Sequence, residues 1–140
     1  MDGIEVLEQK DVLDYDTDGN TTEITRSYYH RNALGSVMEI TDANQAAAVS
    51  YRYDPYGKVT ITVGGTPQSS DPLGQHWTYA GRFHDEECDL YYYRNRSYSS
   101  TLGRFLQRDP IGLIDSPVLY EYARNSPANY IDPLGTTVVN

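Results

Sequence analysis

Tyrosines alternate with polar residues along much of this chain, and Asp-x-x-Gly frames interrupt the alternation. In "YRYDPYGKVTITV" (Tyr51–Val63) the rings of Tyr51 and Tyr53 share one face of a strand, because successive side chains point to opposite sides. Asp54-Pro55-Tyr56-Gly57 then reads as a β-turn. The Asp side chain bonds the backbone ahead of it, the proline supplies the second position, and Gly57 takes a late position with positive φ. "YHRNALGSV" (Tyr29–Val37) aligns on "YRYDPYGKV" (Tyr51–Val59) without a gap, which sets Asn32 against Asp54 and Gly35 against Gly57. "YDTDGN" (Tyr15–Asn20) repeats the frame, with Asp16 and Gly19 as its turn residues, and "TDANQ" (Thr41–Gln45) marks a further hairpin turn. Residues 1–63 therefore predict consecutive antiparallel hairpins in a curved sheet, with turn glycines 16 and 22 residues apart.

The Gly, Ser and Pro of "GGTPQSSDPLGQ" break the pattern and predict an exposed loop over 64–76. Beyond it Trp77 and Tyr79 alternate, Gly81 begins a turn, Leu90–Tyr93 forms a strand, and Leu102-Gly103-Arg104-Phe105 turns into a closing segment. The rings of Tyr91, Tyr92 and Tyr93 cannot all share one face. They either line both faces of the sheet or offer a ring to a sugar or another chain. In "SPVLYEYARNSP", Ser116 suits a helix N-cap, Pro117 its first position, and Asn125 a left-handed end, so one short helix is expected near 117–124. The class is mainly β: hairpins over 1–63, a loop over 64–76, a closing segment over 77–135 and a tail over 136–140, as one continuous unit.

Composition supports that class. The chain has 140 residues, the size of one domain, and 14 of them are tyrosines. Tyrosine favours strands, and it buries a large ring while its hydroxyl finds a polar partner. The net charge of −9, from 20 acidic and 11 basic residues, argues against nucleic acid or an anionic membrane as partner. Arg82, Arg94, Arg96, Arg104 and Arg108 form a local basic cluster, expected to pair at the surface with Asp85, Glu86, Glu87 and Asp89. Cys88 is the single cysteine, which excludes an intramolecular disulfide. The N-terminus lacks the basic and apolar regions of a signal peptide, and no apolar run approaches the roughly 20 residues of a membrane span. The chain reads as soluble, and its location is open between the bacterial cytoplasm and secretion within a larger protein.

No cofactor or metal is expected. Asp14, Asp16, Asp18 and Gly19 imitate a calcium loop, but its twelfth position is Thr25 where a bidentate acid is required. His84 and Cys88 supply only two ligands. The stronger candidate chemistry lies in Asp109-Pro110-Ile111-Gly112 and Asp132-Pro133-Leu134-Gly135, whose aspartates stand 23 residues apart around a tyrosine-rich insert. They read as two strand-capping turns or as two halves of one site. Carboxyls about 3 Å apart share a proton, so one can activate water while the other polarises a carbonyl.

The run "WTYAGRFHDEECDLYYYRNRSYSSTLGRFLQRDPIGL", followed by "LYEYARNSPANYIDPLG", resembles the conserved core at the C-terminal end of Rhs (rearrangement hotspot) and YD-repeat proteins. The resemblance runs from about Tyr28 to Gly135. It implies that the hairpins belong to a β-strand spiral forming a hollow shell around a toxic C-terminal domain, and that the core segment plugs its end. It further implies an aspartyl autoprotease, in which Asp109 and Asp132, with Arg104 nearby, cut the chain at Gly135 or Thr136. Thr136 stands where the family usually has a bulky apolar residue, and Val118 where it commonly has Asn before Leu-Tyr. Only "TTVVN" follows Gly135, and the few hairpins are too short an array to build a shell alone. The expectation is a structural, encapsulating module with a vestigial autoprotease signature. Its partners would be the remainder of an Rhs shell or other copies of itself, with toxin cargo in the parent protein. The alternatives are an active single-turnover autoprotease and a stand-alone self-assembling or binding β protein with open strand edges.

Overall fold

The computed structural model describes residues 5–15, 21–112 and 117–139. β1 (Glu5–Tyr15), β2 (Thr21–Arg31), β3 (Val37–Thr41), β4 (Ala47–Tyr53), β5 (Val59–Val63) and β6 (Thr66–Gln68) form one antiparallel sheet in chain order. Cross-strand register places Tyr29 opposite Ile40, Ile40 opposite Val49, and Tyr51 opposite Ile61. These residues and Val37 form a buried cluster on one face.

The turns between these strands share one local cause. Asn32 Oδ1 accepts the N–H groups of Leu34 and Ser36 at 3.0 and 3.0 Å. Asp42 Oδ1 accepts those of Asn44 and Ala46 at 2.8 and 2.9 Å, and Asp54 Oδ1 those of Tyr56 and Lys58 at 2.9 and 2.9 Å. Each side chain satisfies two donors that the turn would otherwise leave unpaired. Asp16 and Gly19 lie outside the described residues.

A second antiparallel sheet contains β7 (Phe83–Asp85), β8 (Leu90–Tyr92), β9 (Ser97–Ser99) and β10 (Arg104–Phe105), ordered β10-β9-β8-β7. Its register aligns His84, Tyr91, Tyr98 and Phe105 in one cross-strand row, and all four are buried. Tyr92 lies opposite Phe83 and is exposed, so Tyr91 and Tyr93 face inward and Tyr92 outward. Tyr122 closes this core, with ring centroids 4.4 Å from Tyr98 and 5.5 Å from Tyr93.

The two sheets meet at the turn between β2 and β3, where Val37 N–H donates to Thr78 O at 3.2 Å and Ala80 N–H to Ser36 Oγ at 2.8 Å, and at the turn between β4 and β5. Tyr79, Tyr98 and Tyr91 donate their hydroxyls to three successive carbonyls, Pro55 O, Tyr56 O and Gly57 O, at 2.9, 2.7 and 2.9 Å. Gly57 has a φ of +92°, and a Cβ there would lie 2.5–2.8 Å from ring atoms of Tyr79. Gly57→Ala is expected to cost roughly 2–4 kcal/mol, from the unfavourable φ together with overpacking. Urea unfolding should show it as a lower midpoint with an unchanged slope.

Two expectations are corrected. The segment expected as a loop over 64–76 contributes β6, which pairs with β5 across Gly64 and Gly65. The helix expected near 117–124 is absent: the segment holds turns and a single 3-10 turn over Ala123–Asn125, whose φ angles are +50°, +50° and +55°. Its main chain is taken by neighbours instead. Phe105 N–H donates to Tyr120 O, Asp109 N–H to Leu119 O, and Arg104 forms a β-bridge with Glu121. Ser116, the expected cap, lies outside the described residues. Among the described residues no helix is long and apolar enough to cross a membrane.

Candidate active site

Arg96 follows the tight turn from β8 toward β9, where Arg94 adopts a φ of +59° and Tyr93 N–H donates to Arg96 O at 2.9 Å. It stands two residues before the buried Tyr98 and points to the same side, inward. The guanidinium carbon lies 3.6 Å from the centroid of the Phe105 ring. Its Nε donates to Gly135 O at 2.6 Å and its Nη1 to Leu119 O at 3.2 Å. Its Nη2 meets Asp132 Oδ2 at 3.1 Å and Asp109 Oδ2 at 3.2 Å. The side chains of Arg96, Asp109 and Asp132 are 2%, 10% and 1% exposed, so this cluster is nearly withdrawn from water.

Both Asp-Pro-x-Gly frames form turns, and both also reach the common arginine. Asp109 Oδ1 accepts Ile111 N–H at 2.9 Å, and its carbonyl accepts Gly112 N–H at 3.0 Å. Asp132 uses Oδ1 differently: it accepts the N–H groups of Thr136 and Thr137 at 2.9 and 3.1 Å. The peptide group joining Gly135 to Thr136 is thus held at both ends, its oxygen by Arg96 and its N–H by Asp132. Such an arrangement polarises a carbonyl with a cation, sets one carboxyl beside the amide nitrogen, and keeps a second carboxyl on the same guanidinium.

The structure brings together Asp109, Asp132, Gly135 and Thr136, and it leaves Arg104 out. Arg104 is exposed on β10, with its main chain paired to Glu121, and Arg96 supplies the guanidinium at the cluster. Arg96 therefore does not pair at the surface with Asp85, Glu86, Glu87 or Asp89, as its place among the clustered arginines predicts. Asp89 instead meets His84 Nε2 at 3.0 Å and accepts from Thr101 Oγ1 at 3.2 Å. The signal for Arg96 was parity, because a residue two before an inward tyrosine also points inward on a strand.

The same frame occurs twice more, at Asp54–Gly57 and at Asp71–Gly74. Asp54 is exposed, and Asp71 accepts a very short hydrogen bond from the Tyr51 hydroxyl. The frame alone therefore makes a turn, and the buried arginine distinguishes the pair at 109 and 132. No group of three or more His, Cys, Asp or Glu side chains among the described residues is arranged to hold a metal.

No protein-family model matches the chain. It is 34% identical over 110 residues to double-stranded DNA deaminase toxin A of Burkholderia cenocepacia, spanning 77% of this chain and 7% of that protein. It is 35% identical over 113 residues to the tRNA nuclease WapA of Bacillus subtilis, spanning 77% of this chain and 5% of that protein. A solved Photorhabdus luminescens Tc holotoxin pore, carrying a substitution in TccC3, matches 89% of this chain with 6% of its own, at a TM-score of 0.70 and 28% identity. The chain spans less than a tenth of the length of each of these proteins.

Proposed function

Given that the chain is related to the Rhs-associated toxins, among them the Tc-toxin protein TccC3, we propose that it is the closing core module of such a shell and that its buried site cuts its own chain after Gly135. The shared segment occurs in a DNA deaminase and in a tRNA nuclease, two different chemistries, so neither activity is assigned to it. The observation that carries the self-cleavage reading is the Gly135–Thr136 peptide, whose oxygen accepts from Arg96 Nε and whose N–H donates to Asp132 Oδ1.

In this reading Asp109 takes a proton from water as the water oxygen adds to the Gly135 carbonyl carbon. Arg96 Nε meets the negative charge that develops on the carbonyl oxygen. Asp109 then passes that proton to the Thr136 nitrogen as the C–N bond breaks, while Asp132 Oδ1, which accepts the Thr136 N–H, holds that nitrogen in place. The products are a Gly135 carboxylic acid, which loses its remaining proton to solvent, and a Thr136 amine, and the site turns over once.

A second reading keeps the closing module and makes the cluster a clamp that only holds the tail. It is favoured by the hydrogen bonds that engage Nε, Nη1 and Nη2 of Arg96. Intact mass separates the two readings after incubation at about pH 5 and about pH 7, because catalysis by a carboxyl pair depends on its protonation. The parent is expected to lose the residues after Gly135, while Asp109→Asn and Asp132→Asn stay whole. A parent that remains whole at both pH values leaves the clamp.

A further inference from the structure

We infer that the site chooses its bond by reading main chain on both sides of it, with Asn95 as a positioning residue beside the catalytic Arg96 and Gly135 as the position of the held segment where no side chain is tolerated. The activity side of this inference rests on the self-cleavage reading. Ahead of the bond, Asn95 Nδ2 donates to Leu134 O at 2.8 Å and Arg96 Nε to Gly135 O at 2.6 Å. Behind it, the N–H groups of Thr136 and Thr137 converge on Asp132 Oδ1. The segment is closed at its neck by Ile131 and Val139, which exchange two main-chain hydrogen bonds of 2.8 Å each. All these contacts use the peptide groups of the segment, apart from the Asp132 carboxylate. The side chains of Leu134 and Thr137 are exposed.

Gly135 is read by what it lacks. Its φ is +68°, and a Cβ would lie 2.7 Å from Tyr93 O and 3.3 Å from Arg96 N. Those are main-chain atoms of a tight turn and cannot swing aside as a flexible side chain can. The frame at Asp71–Gly74 has the same four residues and the same turn hydrogen bond, from Gly74 N–H to Asp71 O at 3.1 Å. A Cβ on Gly74 would meet nothing within 4 Å, and among the described residues no hydrogen bond reaches the carbonyls of Leu73 or Gly74. Identical sequence thus sits once in the reading turn and once outside it.

The test uses the full chain and two readouts: intact mass for the cut, and hydrogen exchange at the Thr136 and Thr137 amides for recognition. Gly74→Ala, in the matching frame outside the reading turn, is expected to keep both within about threefold of the parent. Asn95→Ala should speed exchange by about two- to tenfold, the effect of one lost hydrogen bond, and slow the cut. Gly135→Ala should lose the cut and the protection together, with the near-ultraviolet tyrosine signal confirming that the core is folded. The inference is overturned if Gly74→Ala loses the cut and the protection as Gly135→Ala does, or if Asn95→Ala leaves both readouts at the parent's values. A parent that is never cut but shows this exchange pattern keeps the recognition and sinks only the cleavage reading.

Discussion

Above about pH 10, the ordinary phenol pKa, the protein is expected to unfold in one cooperative step driven by its buried tyrosines. Burial is the first cause pushing the phenols of Tyr51, Tyr53, Tyr79, Tyr91, Tyr93, Tyr98 and Tyr122 upward. The Asp71 carboxylate raises Tyr51 further, and neighbouring phenols raise Tyr79 and Tyr93. Many of these hydroxyls are also donors, to Pro55 O, Tyr56 O, Gly57 O and Val37 O, and such a bond requires the proton. The folded pKa lies above the unfolded one, so the folded state keeps protons that the unfolded chain releases. Stability is therefore full below about pH 10 and falls as pH rises toward the folded values, by roughly 1.4 kcal/mol per pH unit for each such group. Several acting together would exhaust a total stability of about 5–15 kcal/mol within roughly two pH units. Tyrosinate absorbance and the circular dichroism of the fold should change together. A fold that persists to about pH 13 while its tyrosines ionise would contradict this account of the core.

Arg96→Met should destabilise the protein by about 3–5 kcal/mol, because it removes the guanidinium that two buried carboxylates face. Methionine keeps a flexible apolar stem against the Phe105 ring, so the loss is chiefly one of charge and donors. Gly135 O and Leu119 O lose their bonds to this side chain, and Asp109 and Asp132 are left opposed in a site of 10% and 1% exposure. Adding Asp109→Asn and Asp132→Asn to Arg96→Met should restore much of the loss, since an unpaired buried charge costs more than a neutral polar group. Arg104→Met, at an exposed position, should stay within about 0.5 kcal/mol of the parent. Urea unfolding of these variants measures the set. Equal effects at positions 96 and 104 would remove the buried cation from its proposed role.

The hairpins were legible because their cause is local. Asn32, Asp42 and Asp54 each bond two N–H groups within four residues, so the turn is specified wherever the frame appears. The helix near 117–124 failed for the opposite reason. Its starting signals are local, but the carbonyls of Leu119 and Tyr120 accept from Asp109 and Phe105, and pairing with a distant segment prevailed over the cap. Spacing does not decide whether Asp109 and Asp132 meet; their shared contact with Arg96 Nη2 accounts for it physically. Arg96 was misplaced because its charge suggested the surface. Its position in the alternation pointed inward, and the alternation proved the better guide.

The joint at Pro55, Tyr56 and Gly57 has a consequence for how such a chain can change over time. The closing half grasps the preceding hairpin by peptide oxygens, which every residue type carries. Substitutions along that hairpin leave these three bonds intact as long as its bend and its glycine are inherited. Insertion or loss of a hairpin ahead of the two turns that the closing half holds then delivers the same bends to the same three phenols, so the sheet can lengthen or shorten while the joint remains a single, reusable fitting.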